Sequence, residues 1–153
     1  MFWYYAEMST TSLEQIIPLD KSWMMRLGVL DLLAGSSTME KFLTDYEGIL
    51  NTDLQSLQLA TQQWRMGDVI HVGESGTLFR FLQFAAWKRG EDRIFIASGT
   101  LRDRAITADP SIIDLPLDAL LELDGGTSQW ASAAVLLGNN EGTSSPLPYK
   151  LAL

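Results

Sequence analysis

Four stretches of the chain set charged or hydrogen-bonding side chains beside a helix start or a strand end. In Lys21-Ser22-x-x-x-Arg26 the last two residues are four apart and share one helix face, with Lys21 at its mouth. Backbone N–H groups, the positive end of the helix dipole, an ammonium, a hydroxyl and a guanidinium would converge there, which suits an anion. Gly73-Glu74-Ser75-Gly76-Thr77-Leu78-Phe79-Arg80 puts a glycine turn before an apolar helix and an arginine three residues after the hydroxyl. It is not a phosphate-binding loop of the G-x-x-x-x-G-K-[ST] kind, because the lysine is missing. Gly99-Thr100-Leu101-Arg102-Asp103-Arg104 carries two arginines on a loop after a strand, able to close over a bound anion. Gly125-Gly126-Thr127-Ser128-Gln129 opens a helix with two hydroxyls and an amide, groups that bind a polyol or a carboxylate. Each stretch also has a plain structural reading: a capped helix start, a glycine turn, a solvated loop, or Arg26 paired with Asp20 or Asp31.

The charge balance sharpens these readings. Lys21, Arg26, Arg80, Arg102 and Arg104 are five of only eleven basic residues, in a chain of formal net charge −8. Such concentration points to a small polyanionic ligand, while the acidic whole argues against nucleic acid or an anionic membrane as the main partner. There are no cysteines, which excludes a disulfide framework, a thiolate nucleophile and a cysteine-based zinc site. The single histidine, His71, lies in the apolar run Asp68-Val69-Ile70-His71-Val72 and reads as a structural residue. No metal-binding pattern accompanies it, so no metal is expected. The aromatic N-terminus lacks the basic region of a signal peptide and no stretch of ~20 apolar residues occurs, so a soluble cytoplasmic protein is expected.

These side chains need elements to hold them. At 153 residues with 46% hydrophobic content, the expectation is one α/β domain over residues 1–153, with an N-terminal strand segment at 1–14 and an extended C-terminal tail at 139–153. Helices are expected at 22–34, 52–64, 76–88 and 127–137, and strands at 2–8, 68–72 and 93–97. The helix at 22–34 is apolar around nearly its whole circumference, which predicts burial on all sides. Residues 39–43 read as a short apolar piece, 98–110 as a loop, and 115–123 as either a strand or a short helix. Helix openings at Ser22, Thr77 and Thr127 recur at a spacing of about 50 residues, the mark of an internal repeat. Repeated strand–helix units would set equivalent helix N-termini on one side of the molecule.

Taken in order, the motifs resemble those of the N-terminal domain of 5-enolpyruvylshikimate-3-phosphate synthases, the 3-phosphoshikimate 1-carboxyvinyltransferase family. That family has a Lys-Ser followed by an arginine on its first helix, an N-A-G-T-x-x-R turn, an L-R-x-R-P loop, a Ser-Ser-Gln helix start and an S-K-P-Y segment. The counterparts here are Lys21-Ser22 with Arg26, Glu74-Ser75-Gly76-Thr77 with Arg80, Leu101-Arg102-Asp103-Arg104-Ala105, Thr127-Ser128-Gln129 and Pro146-Leu147-Pro148-Tyr149. The resemblance spans residues 15–150. It implies an incomplete set of the strand–helix units that build the family's inside-out barrel. It also implies that Lys21 meets both substrates and is catalytic, and that Ser22, Arg26, Thr127, Ser128 and Tyr149 meet shikimate 3-phosphate. Gly76, Arg104 and Gln129 would touch phosphoenolpyruvate, with Thr77 and Arg80 lining the same cleft. No cofactor is implied.

The sequence departs from the family at several points. Glu74 stands where the family has asparagine, Ala105 where it has proline, Leu19 where it has a small residue, and Pro146 takes the register of the serine. The family's second domain, which supplies acidic groups for proton transfer, has no counterpart here. The chain is therefore expected to be one half of a two-domain transferase of aromatic amino acid biosynthesis, completed by that domain or by self-association, and alone to bind without turnover. The alternative is a non-catalytic anion-binding or interaction module derived from the same fold.

Overall fold

The hydrophobic periodicity of the chain is resolved mostly into helices. The computed structural model describes residues 20–104, 109–123 and 129–136. The expected strand at 2–8 and the tail at 139–153 lie outside the described residues. In order, the elements are α1 (Lys21–Leu33), α2 (Thr38–Asp45), α3 (Thr52–Met66), β1 (Val69–Gly73), α4 (Gly76–Arg89) and β2 (Ile94–Ala97). Short 3-10 turns follow at Gly99–Asp103 and Pro110–Asp114, then α5 (Leu117–Leu123) and α6 (Gln129–Leu136).

Among the described residues, β1 and β2 form a two-stranded parallel sheet, in register from Val69 opposite Ile94 to His71 opposite Ile96, with a one-residue shift before Gly73 opposite Ala97. A parallel pair needs a long crossover, and α4 provides it. This crossover helix is the centre of the core: Leu78, Phe81, Leu82, Phe84 and Ala85 are buried along it. It packs against α1 and α6, while α3 packs along β1. Side chains alternate along β1, with Ile70 and Val72 buried and Val69 and His71 exposed. The Gln63 amide of α3 holds His71 by two contacts, its Oε1 accepting from the His71 backbone N–H at 2.7 Å and its Nε2 lying 2.9 Å from Nδ1.

Helix α1 departs from expectation. Met24, Met25, Gly28, Val29 and Leu32 are buried, yet Trp23, Leu27 and Leu30 are 46%, 44% and 41% exposed. The apolar residues do encircle the helix, but α3 and α4 cover only part of it. The remaining side forms an open apolar groove with Met39 and Phe42 of α2, about 540 Å³ in volume. Gly28 lets α1 lie close to α3: a Cβ there would lie 2.8 Å from Leu57 Cδ1, so a side chain would force the buried Leu57 to shift. Residues 39–43 belong to a full helix, α2, and the ambiguous 115–123 contains α5, whose buried Leu117 and Leu120 recur at helical spacing.

Candidate functional site

Three helices begin at one place, and each begins in the same way. Asp20, Asn51 and Ser75 are the N-caps of α1, α3 and α4, and their side-chain oxygens accept from the third helical N–H at Trp23, Leu54 and Leu78. The distances are 2.9, 2.9 and 3.2 Å. Such caps satisfy one of the N–H groups that a helix leaves unpaired and leave the first two for another acceptor. Of the six residues at those positions, Lys21, Thr52, Asp53, Gly76 and Thr77 line one polar cleft of about 350 Å³, and Ser22 does not. Glu74, Ser75, Arg80 and Arg104 complete its lining.

Its charges are three cations and two carboxylates. Lys21 Nζ lies 2.9 Å from Asp53 Oδ2, an ion pair that ties the start of α1 to the start of α3. Arg80 is the fifth residue of α4, its guanidinium carbon 5.4 Å from the centroid of the Trp130 ring on α6. This distance fits a cation–π contact. Arg104 comes from the segment after β2 and reaches over the same helix mouth. A Cβ on Gly76 would stand 3.2 Å from Arg80 Nη1 and 3.7 Å from Arg104 Nη1, so both guanidinium groups crowd the bare backbone of α4's first residue. Two arginines, a hydroxyl and helix-start N–H groups around one point make a receptor for phosphate or carboxylate oxygens.

The expected site residues divide into three groups. Lys21, Gly76, Thr77, Arg80 and Arg104 come together in the cleft. Ser22 and Arg26 lie beyond its lining and hold each other: Arg26 Nη1 donates to the Ser22 carbonyl at 3.1 Å and to its hydroxyl. Thr127, Ser128 and Tyr149 lie outside the described residues, and Gln129 is the first described residue of α6. Arg102 is exposed beside Asp103 and does not line the cleft.

Sequence reasoning missed Asp53 as a cleft residue and gave Thr100 no role of its own. The helix opening at Asn51-Thr52-Asp53 carries neither glycine nor cation, so it reads as an ordinary cap. The capping pattern shared by Asp20, Asn51 and Ser75, each one residue before a cleft-lining position, is the signal that could have found it.

Among the described residues no group of three or more His, Cys, Asp or Glu is placed to hold a metal ion, and no helix is long and apolar enough to cross a membrane. Compared with protein-family models, curated proteins and solved structures, the chain matches none.

Proposed function

We propose that the cleft binds a small phosphorylated carboxylic acid, and that the chain is the corresponding half of a two-domain enolpyruvyl transferase acting on shikimate 3-phosphate and phosphoenolpyruvate. One observation carries this reading: Lys21, Arg80 and Arg104 converge with the N-termini of α1, α3 and α4 in a polar cleft, in a protein of net charge −8. The motif order described above supplies the substrate identities and the strand–helix units of an inside-out barrel.

In the transfer, a substrate hydroxyl attacks C2 of phosphoenolpyruvate while a proton reaches its methylene carbon. The C2–O bond to phosphate then breaks as a proton leaves the new methyl group, which restores the enol ether and releases phosphate. Arg80, Arg104 and the helix dipoles would hold and neutralise the anionic oxygens, and Lys21 would carry one of the protons. The remaining acid–base groups would come from the second domain. Alone, the chain leaves its ligands in water, where each electrostatic contact is weak, so binding without turnover is expected.

A second reading, a non-catalytic anion-binding module, is favoured by the two carboxylates inside the cleft, Asp53 and Glu74. The same experiment separates both from error. Shikimate 3-phosphate should raise the unfolding temperature by mass action, and the effect should shrink with salt. No heat and no stabilisation at millimolar ligand would defeat both readings. Phosphate release only after a separately expressed second half is added supports the transferase, and release by neither preparation leaves the module.

A further inference from the structure

A carboxylate at the edge of an anion site opposes the ligand by its charge, yet Glu74 is held in place by a set of contacts that reaches one of the cleft cations. Glu74 follows the last residue of β1, and Thr100 lies in the turn after β2, so the parallel register brings them together. Thr100 donates twice to Glu74 Oε2, from its backbone N–H at 3.3 Å and from Oγ1 at 3.0 Å. With its only proton directed at Glu74, the Thr100 hydroxyl offers lone pairs elsewhere, and Arg104 Nη2 donates to it at 3.3 Å. Donors and acceptors therefore run in one direction, from Arg104 through Thr100 to Glu74, the arrangement in which neighbouring hydrogen bonds strengthen one another. Gly99 leaves the space: its φ is +50°, and a Cβ there would come to 2.1 Å from Glu74 Oε1. The other arm of the Arg104 guanidinium, Nη1, is the one that stands over Gly76.

We infer that Glu74 is a positioning residue for anion binding: through the Thr100 hydroxyl it fixes the Arg104 guanidinium over the N-terminus of α4. This rests on the reading of the cleft as an anion site. An arginine on an exposed segment loses much rotamer freedom when it clamps a ligand, and anchoring one arm beforehand removes part of that cost. The charge of Glu74 works against the ligand and its hydrogen bonds work for it, so the two must be separated by substitution. Glu74→Gln keeps an acceptor oxygen and removes the charge, whereas Glu74→Ala removes both.

The test is calorimetric titration of the full chain with inorganic phosphate at low salt, with each Glu74 variant made in the native and the Arg104→Ala backgrounds. Glu74→Gln should bind phosphate at least as tightly as the native chain, and Glu74→Ala about five- to tenfold more weakly than Glu74→Gln. In the Arg104→Ala background the gap between the two should vanish, because the route runs through that side chain. Thr100→Val, which deletes the hydroxyl and keeps the shape, should weaken binding as Glu74→Ala does, and it decides the matter if Glu74→Ala does not fold. Equal affinities for the Gln and Ala variants, a gap that survives without Arg104, or unaltered binding by Thr100→Val would each overturn the positioning role and leave the anion site standing. Failure of the native chain to bind phosphate would overturn the site and this inference with it.

Discussion

Lys21 and Asp53 pair in the cleft lining with side chains 56% and 24% exposed, so their attraction adds little to stability. Its effect on a ligand is larger, because the ammonium is already neutralised and a carboxylate stands beside any arriving anion. Asp53→Asn should therefore tighten phosphate binding about two- to fivefold while costing about 0.3–1 kcal/mol of stability, since Asp53 also favours the positive end of α3. Paired calorimetric titrations and denaturant melts check this, and an unchanged phosphate affinity would show that Lys21 takes no part. The cations of this cleft were legible in the sequence because each stands within a few residues of its own helix start or strand end. Lys21 opens α1, Arg80 is the fifth residue of α4, and Arg104 closes the turn after β2. Their polar partners were not, because Asp53 meets Lys21 and Glu74 meets Thr100 only across the packing of separate elements. No local pattern in Thr52-Asp53 or Gly99-Thr100 encodes a partner that lies about 30 residues away.

The elements are joined at their ends by a few charged side chains. Arg93, just before β2, donates from Nη1 to the carbonyls of Trp64 and Gly67, both at 2.7 Å, and so closes the C-terminus of α3. Its guanidinium also lies 4.2 Å from the centroid of the Trp64 ring. Burial pushes the Glu91 carboxyl up, but Arg93 and Arg89 more than offset that and hold it below its ordinary value. Asp114, in the second 3-10 turn, is held below its ordinary value of 3.8 mainly by the Lys88 ammonium at 2.5 Å, and burial opposes this only in part. A carboxylate lowered in the folded state contributes stability above its unfolded value, and that contribution is lost as pH falls through the folded one. Asp114→Asn should thus lower the unfolding temperature slightly at neutral pH and flatten its decline below about pH 4. Thermal melts from pH 7 to pH 3 test it, and parallel acid limbs for the two proteins would refute it. Boundaries of α3, β1, α4 and β2 were readable to within two residues from hydrophobic periodicity. The helix α2 was not, because only Met39, Phe42 and Leu43 of its eight residues signal an apolar face. The exposure of one side of α1 was hidden too, since a helix apolar all round does not reveal which side its neighbours leave bare.

Over the whole molecule, polar and apolar surfaces are segregated around α1. Its first residue enters the charged cleft, while Leu27 and Leu30 further along line the open groove with Met39 and Phe42. Exposed apolar surface of this kind binds fluorescent dyes such as anilinonaphthalene sulfonate, whose brightening is ordinarily taken as the mark of a loosened, partly unfolded protein. Here the fully native chain should already brighten the dye, and Leu27→Lys together with Leu30→Glu should abolish most of that signal without altering phosphate binding. A dark native protein would mean that the groove is filled in solution. Dye-reported melting curves for this chain would accordingly start from a high baseline and mistake native binding for unfolding, so its ligand-induced stabilisation has to be followed by calorimetry or by the signal of its own tryptophans.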